Sequence, residues 1–127
     1  MEYATLIVLL ALLQFLHFTF RVGLARGKYK IHAPACSGND TFERIFRVQQ
    51  NTMEQLVVLI PATYAFAFYV SPVWVLLPGA AYLVGRAIYS AEYIKEPSSR
   101  TPGVGLTMAG TVALVVGALV GVILALF

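Results

Sequence analysis

The chain has 127 residues, 59% of them hydrophobic and only 12% charged, with a formal net charge of +3. A soluble domain carries about 25% charged residues, so this composition leaves too little polar surface for a water-soluble globule. At about 20 residues per span, the length admits one domain with at most four membrane helices and their loops, and the single cysteine, Cys36, excludes an internal disulfide.

The first predicted element is a membrane span over residues 3–25. Tyr3 to Phe20 is uncharged and apolar. It lacks a basic leader and a small-residue cleavage site before position 20, so it reads as a retained span rather than a cleaved signal peptide. His17 lies near its end and is read as an interfacial or packed histidine. A polar loop is expected next, from Arg26-Gly27-Lys28-Tyr29-Lys30 through Ile31 to Thr41, with Pro34, Gly38 and Asn39-Asp40. Asn39-Asp40-Thr41 matches a glycosylation sequon, which the expected topology leaves unmodified. Cys36 reads as an incidental loop thiol.

From Gln55 to Gly85 there is no charged residue over 31 positions. One helix of that length would run about 46 Å, too long for a hydrocarbon core of about 30 Å. Two spans need roughly 40 residues. Val70-Ser71-Pro72 is the natural turn, because proline disfavours helix at the residue before it and lacks an amide donor. Counting outward from that turn predicts span two over residues 44–70 and span three over 73–95, with both polar ends at the same membrane face. Span four is predicted over 102–127. Within it Ala109, Ala113, Gly117 and Gly121 recur every fourth residue, a spacing that lets helices approach closely.

Arg21, Arg26, Lys28, Lys30, Arg44, Arg47, Lys95 and Arg100 all fall at that one face, and Arg86 lies inside span three on the same half. The short turn and both termini carry no Lys or Arg. The positive-inside rule then makes the charged loops cytoplasmic and turns the termini outward. A bacterial inner membrane and an endoplasmic reticulum fit equally well.

Two polar stripes mark this face. Arg44, Arg47, Asn51 and Glu54 are spaced three, four and three, so they share one side of a helix. Arg86, Tyr89 and Tyr93 form a second stripe, joined by Arg100 if the helix continues past Pro97. Gln49 adds an amide. Charged groups at the edge of an apolar stretch cost about 2.5–3.5 kcal/mol each if drawn to the hydrocarbon centre. The set suits a small ligand bearing carboxylates and an amine: arginine forks bind carboxylates in bidentate fashion and stay charged when desolvated, and a glutamate can hold an ammonium group. The competing interpretation is a self-satisfied helix-to-helix network, for example Arg86 paired with Glu54. Two histidines and one cysteine without ligand spacing give no metal site. Neither a phosphate loop nor a nucleophile elbow is present.

The stretch Phe42-Glu43-Arg44-Ile45-Phe46-Arg47-Val48-Gln49-Gln50-Asn51-Thr52-Met53-Glu54 resembles the signature of the MAPEG family, the membrane-associated proteins in eicosanoid and glutathione metabolism. Ala25 to Lys30 and Gly85-Arg86 through Tyr93 to Arg100 look most similar to its microsomal glutathione transferase branch. The resemblance covers nearly the whole chain. It implies an all-α integral membrane four-helix bundle, assembled as a homotrimer, with glutathione as co-substrate between neighbouring subunits. By position, Arg47, Asn51, Glu54, Tyr89 and Tyr93 would bind glutathione, Gln49 and Arg26 would assist, and Arg44 and Arg86 would support the site. Arg100 matches the arginine that holds the glutathione thiolate and is the catalytic candidate. Gly27 and Gln55 stand where the leukotriene-forming branch carries an arginine and a tyrosine.

The implied activity is conjugation of glutathione to lipophilic electrophiles arriving from the membrane lipid, with reduction of lipid hydroperoxides as a second outlet. Nucleic acid is not among the expected partners. Two alternatives remain open at this point. One is a non-catalytic lipid-binding scaffold like the 5-lipoxygenase-activating branch of the family. The other is a small four-span transporter, a class that usually carries an acidic residue midway along its first span, where this chain has only Gln14 and His17.

Overall fold

The computed structural model describes residues 1–96 and 101–127. It is a bundle of four helices: α1 Glu2–Tyr29, α2 Asp40–Tyr69, α3 Leu76–Lys95 and α4 Thr101–Leu126. All four expected helices are present in order, and no strand occurs among the described residues.

Three boundaries differ from the sequence-based expectation. Arg26 to Tyr29, expected in a loop, complete the last turn of α1. Nothing in this stretch breaks a helix apart from the modest cost of Gly27, about 1 kcal/mol against alanine, and basic residues are favourable at a helix C-terminus. The helix stops at Lys30, which adopts the left-handed conformation (φ 56°, ψ 44°) and returns its N–H to the Arg26 carbonyl. The start of α2 also lies earlier than Arg44. Asn39 caps it by accepting the Phe42 N–H at 3.0 Å, and Asp40 and Glu43 place negative charge in the first turn, where the helix dipole favours it.

The turn between α2 and α3 falls where proline predicts it. Ser71 Oγ accepts the amides of Val73 and Trp74 at 3.2 and 3.1 Å, so residues 73–75 form a turn and α3 begins at Leu76. Pro61 sits within α2, exposed, without ending the helix.

Contact between α3 and α4 is the most extensive in the bundle, and glycine makes it possible. A Cβ at Gly85 would lie 2.5 Å from the Thr107 amide nitrogen, and one at Gly110 2.5 Å from the Pro78 carbonyl; one at Gly103 would collide with the Tyr89 backbone. The inward face of α4 is therefore Gly103, Thr107, Gly110, Thr111, Leu114 and Ala118. Of the four-residue series read from the sequence, Gly117 and Gly121 do pack closely, against Phe66 and Tyr69 of α2, but Ala109 and Ala113 face outward. A helix apolar on every side has no polar stripe to mark its phase.

Helices α1 and α4 contain windows of mean hydropathy 1.9 and 2.6, long enough to cross a membrane. Only 28% and 22% of those windows is buried, whereas the core helix of a soluble protein would be mostly enclosed. Leu9, Leu13, Leu16, Phe20, Leu119 and Leu124 all point away from the bundle. The chain is an integral membrane bundle whose apolar exterior faces lipid or other protein.

Candidate functional site

The site lies where the start of α2 meets the end of α3, and Arg44 fastens the two. Its Nη1 donates to the carbonyls of Ile94 and Lys95 at 3.3 and 3.4 Å, among the last carbonyls of α3, which have no partner within the helix. Arg44 therefore braces the fold rather than facing a ligand.

Behind the site stands Arg86, enclosed by the bundle at 1% exposure. Nη1 donates to Asn51 Oδ1 at 2.7 Å and to Thr52 Oγ1 at 3.2 Å, and Nε to Thr107 Oγ1 at 3.4 Å. The guanidinium carbon sits 4.3 Å from the centroid of the Tyr89 ring, a cation–π contact. The suggested pairing of Arg86 with Glu54 does not form. Glu54 is exposed on the outward side of α2, while Asn51 and Thr52 offer the neutral oxygens that Arg86 meets.

In front of this network an open cavity of about 430 Å³ runs along α2, within the range of about 300–1,000 Å³ typical of small-ligand sites. Arg47, Asn51 and Glu54 line it from α2 and Tyr89 from α3. Four of the residues singled out in the sequence thus come together. Neither Arg47 nor Glu54 forms an ion pair with another described residue, so both charges are available. An arginine fork, an amide and a carboxylate along one wall can hold a ligand that carries carboxylate and ammonium groups together.

Other candidates lie elsewhere. Tyr93 stacks on Tyr89 with centroids 5.3 Å apart and planes 12° apart; it is 7% exposed and packs beside Phe18 and Val48, so it backs the cavity wall rather than lining it. Gln49 is on the opposite side of α2 and donates to Thr19 Oγ1 of α1 at 3.2 Å. Arg26 lines a separate cavity with Lys30 and His32. It donates to the Ala35 carbonyl at 2.7 Å and lies over the rings of Phe42 and Phe46 at 5.2 and 6.0 Å. Arg100 lies outside the described residues.

The cavity also includes Glu43, Phe46 and Gln50, which the sequence reading did not single out, and Cys36, which it read as an incidental loop thiol. Glu43 and Gln50 could have been found by extending the Arg47 stripe one turn back and one position sideways, since 43, 47, 50 and 54 keep helical spacing. Cys36 comes from the loop between α1 and α2, where no periodicity signals its position. Its thiol donates to the Pro34 carbonyl at 3.4 Å.

Comparison with known proteins places the chain in a family. The family model described as the MAPEG family matches residues 3–120. An uncharacterized protein of Synechocystis sp. is 40% identical over 118 residues, covering 93% of this chain and 86% of the relative. Microsomal glutathione S-transferase 2 of Mus musculus is 37% identical over 114 residues, 90% of this chain and 78% of the relative. Its Bos taurus counterpart is 35% identical over 107 residues, 84% and 73%. With a family match over residues 3–120 and relatives 35–40% identical over most of their length, the chain belongs to the MAPEG family.

Proposed function

We propose that this protein is a membrane glutathione transferase that adds the glutathione thiolate to lipophilic electrophiles. The observation that carries this reading is the cavity in which Arg47, Asn51, Glu54 and Tyr89 converge, in a chain related to microsomal glutathione S-transferase 2. Arg47 forks a glutathione carboxylate, Glu54 holds the amino group, and Asn51 and Tyr89 supply neutral hydrogen bonds. The electrophile enters from the bilayer between subunits. Reduction of lipid hydroperoxides is a second outlet for the same thiolate.

Arg100 is assigned the thiolate. A thiol has a pKa of about 8.5, so a two-unit reduction needs about 2.7 kcal/mol of differential stabilisation. One arginine about 4 Å from the sulfur supplies roughly 4 kcal/mol at an effective dielectric near 20. A single adjacent cation is therefore sufficient, as at other low-pKa thiols.

The site is assembled between copies of the chain in a homotrimer. Arg26 and Gln49 turn away from the cavity that holds Arg47 and Asn51, which supports their serving a neighbour's cavity. The four helices span the membrane as residues 3–25, 44–70, 73–95 and 102–127, with the α1–α2 and α3–α4 loops cytoplasmic.

The test is ultraviolet difference spectroscopy of the detergent-purified protein mixed with glutathione, with Arg100→Ala as control. A thiolate signal at neutral pH that the variant loses, while glutathione still binds it, is expected. A wild-type protein that binds no glutathione by calorimetry would overturn the reading in favour of a lipid-binding scaffold.

A further inference from the structure

Arg86 is the largest side chain fully enclosed by the bundle, and no carboxylate among the described residues pairs with it. An isolated buried cation carries a desolvation penalty of several kcal/mol, and a well-packed apolar side chain of similar volume is often the more stable choice. Volume alone does not account for an arginine here.

Its contacts divide into two pairs. Thr52 and Thr107 anchor it, and both hydroxyls are themselves fixed, donating to the carbonyls of Val48 at 2.7 Å and Gly103 at 2.8 Å. The other two partners, Asn51 and Tyr89, both line the cavity. A guanidinium has donors only, so the Asn51 atom it holds at 2.7 Å is the amide oxygen. The amide NH₂ is then the group left for the cavity.

We propose that Arg86 is a positioning residue for ligand binding: it locks Asn51 as a hydrogen-bond donor toward a carboxylate or peptide carbonyl of the ligand and steadies the Tyr89 ring, without touching the ligand itself. The inference rests on the glutathione reading. Without Arg86 the Asn51 amide can rotate and present its oxygen, which an anionic ligand disfavours. The guanidinium charge also lies one side chain behind the cavity surface, adding a field that favours anions.

The experiment is a double-mutant cycle on the full chain in detergent, with glutathione affinity read by calorimetry and folding by thermal midpoint. Arg86→Gln and Asn51→Ala are each expected to weaken binding about tenfold, and the double variant to bind no more than about twofold weaker than Asn51→Ala alone, because the two act through one contact. Arg86→Lys, which keeps the charge and a donor, restores most of the affinity. If Arg86→Gln does not fold, Arg86→Met, an apolar side chain of similar volume, takes its place in the cycle, with the same lack of additivity expected. Additive losses, or unchanged affinity in a folded Arg86→Gln or Arg86→Met variant, would overturn the positioning role while the glutathione reading stands. Absence of glutathione binding in the wild type would overturn both.

Discussion

Arg44 and Arg47 stand one helical turn apart, yet their guanidinium groups meet different surroundings. Arg44 reaches the last carbonyls of α3. Arg47 is exposed at the cavity, with no ion-pair partner among the described residues. Their alanine variants should therefore fail differently. Arg47→Ala is expected to weaken glutathione binding tenfold or more, since a hydrogen bond to a charged group contributes about 1.5–3 kcal/mol, and to leave the thermal midpoint unchanged. Arg44→Ala is expected to lose about 1 kcal/mol of stability and to keep most of its affinity. Thermal melts and glutathione titrations of the two variants, run side by side, check both halves. The sequence shows that both arginines share a stripe. It does not show which of them finds carbonyls within reach, because that depends on where α3 ends against α2. The same limit explains Arg86: its position in an apolar span marked it as unusual, but its partners Asn51, Thr52 and Thr107 lie 35, 34 and 21 residues away in sequence.

At the scale of elements, the helices were legible from charge and proline. The uncharged run from Gln55 to Gly85, split at Ser71-Pro72, located α2 and α3 to within a few residues. The phase of α4 was not legible, because its surface is apolar all round and only packing decides which side turns inward. The packing makes a sharp prediction. Gly103→Ala drives a methyl group into the Tyr89 backbone, and Gly85→Ala drives one into Thr107; each is expected to lose about 1–3 kcal/mol through overpacking. Gly103→Ala should also lose glutathione affinity, because it displaces a cavity residue. Gly105→Ala, where nothing lies within 4 Å, is expected to be neutral or to gain about 0.5–1 kcal/mol from the greater helix propensity of alanine. Thermal midpoints of the three variants in one detergent measure the order, and a destabilised Gly105→Ala would contradict this placement of α4.

Across the whole molecule, the polar features singled out in the sequence are divided between separate regions of the chain. Arg47 and Asn51 look into the cavity, whereas Gln49 faces α1 and Arg26 lines a different cavity. On the proposed assembly these two sets meet across a subunit boundary, and mixing experiments can read this directly. Arg47→Ala and Arg26→Ala chains, each expected to keep about a tenth or less of wild-type activity when glutathione is held well below saturation, are co-expressed in equal amounts and purified as mixed oligomers. In a closed ring each site takes its Arg47 and its Arg26 from different copies. Random assortment then gives an intact site about one time in four, so about a quarter of wild-type activity should return. This fraction does not depend on the number of subunits, which native mass spectrometry supplies separately. If each site were built from a single chain, every site in the mixture would lack one arginine and activity would not rise above that of the two variants alone. Because Arg26 also holds the Ala35 carbonyl, the Arg26→Ala chain must first show a wild-type thermal midpoint, so that a silent mixture reports the architecture of the site rather than a collapsed α1–α2 loop.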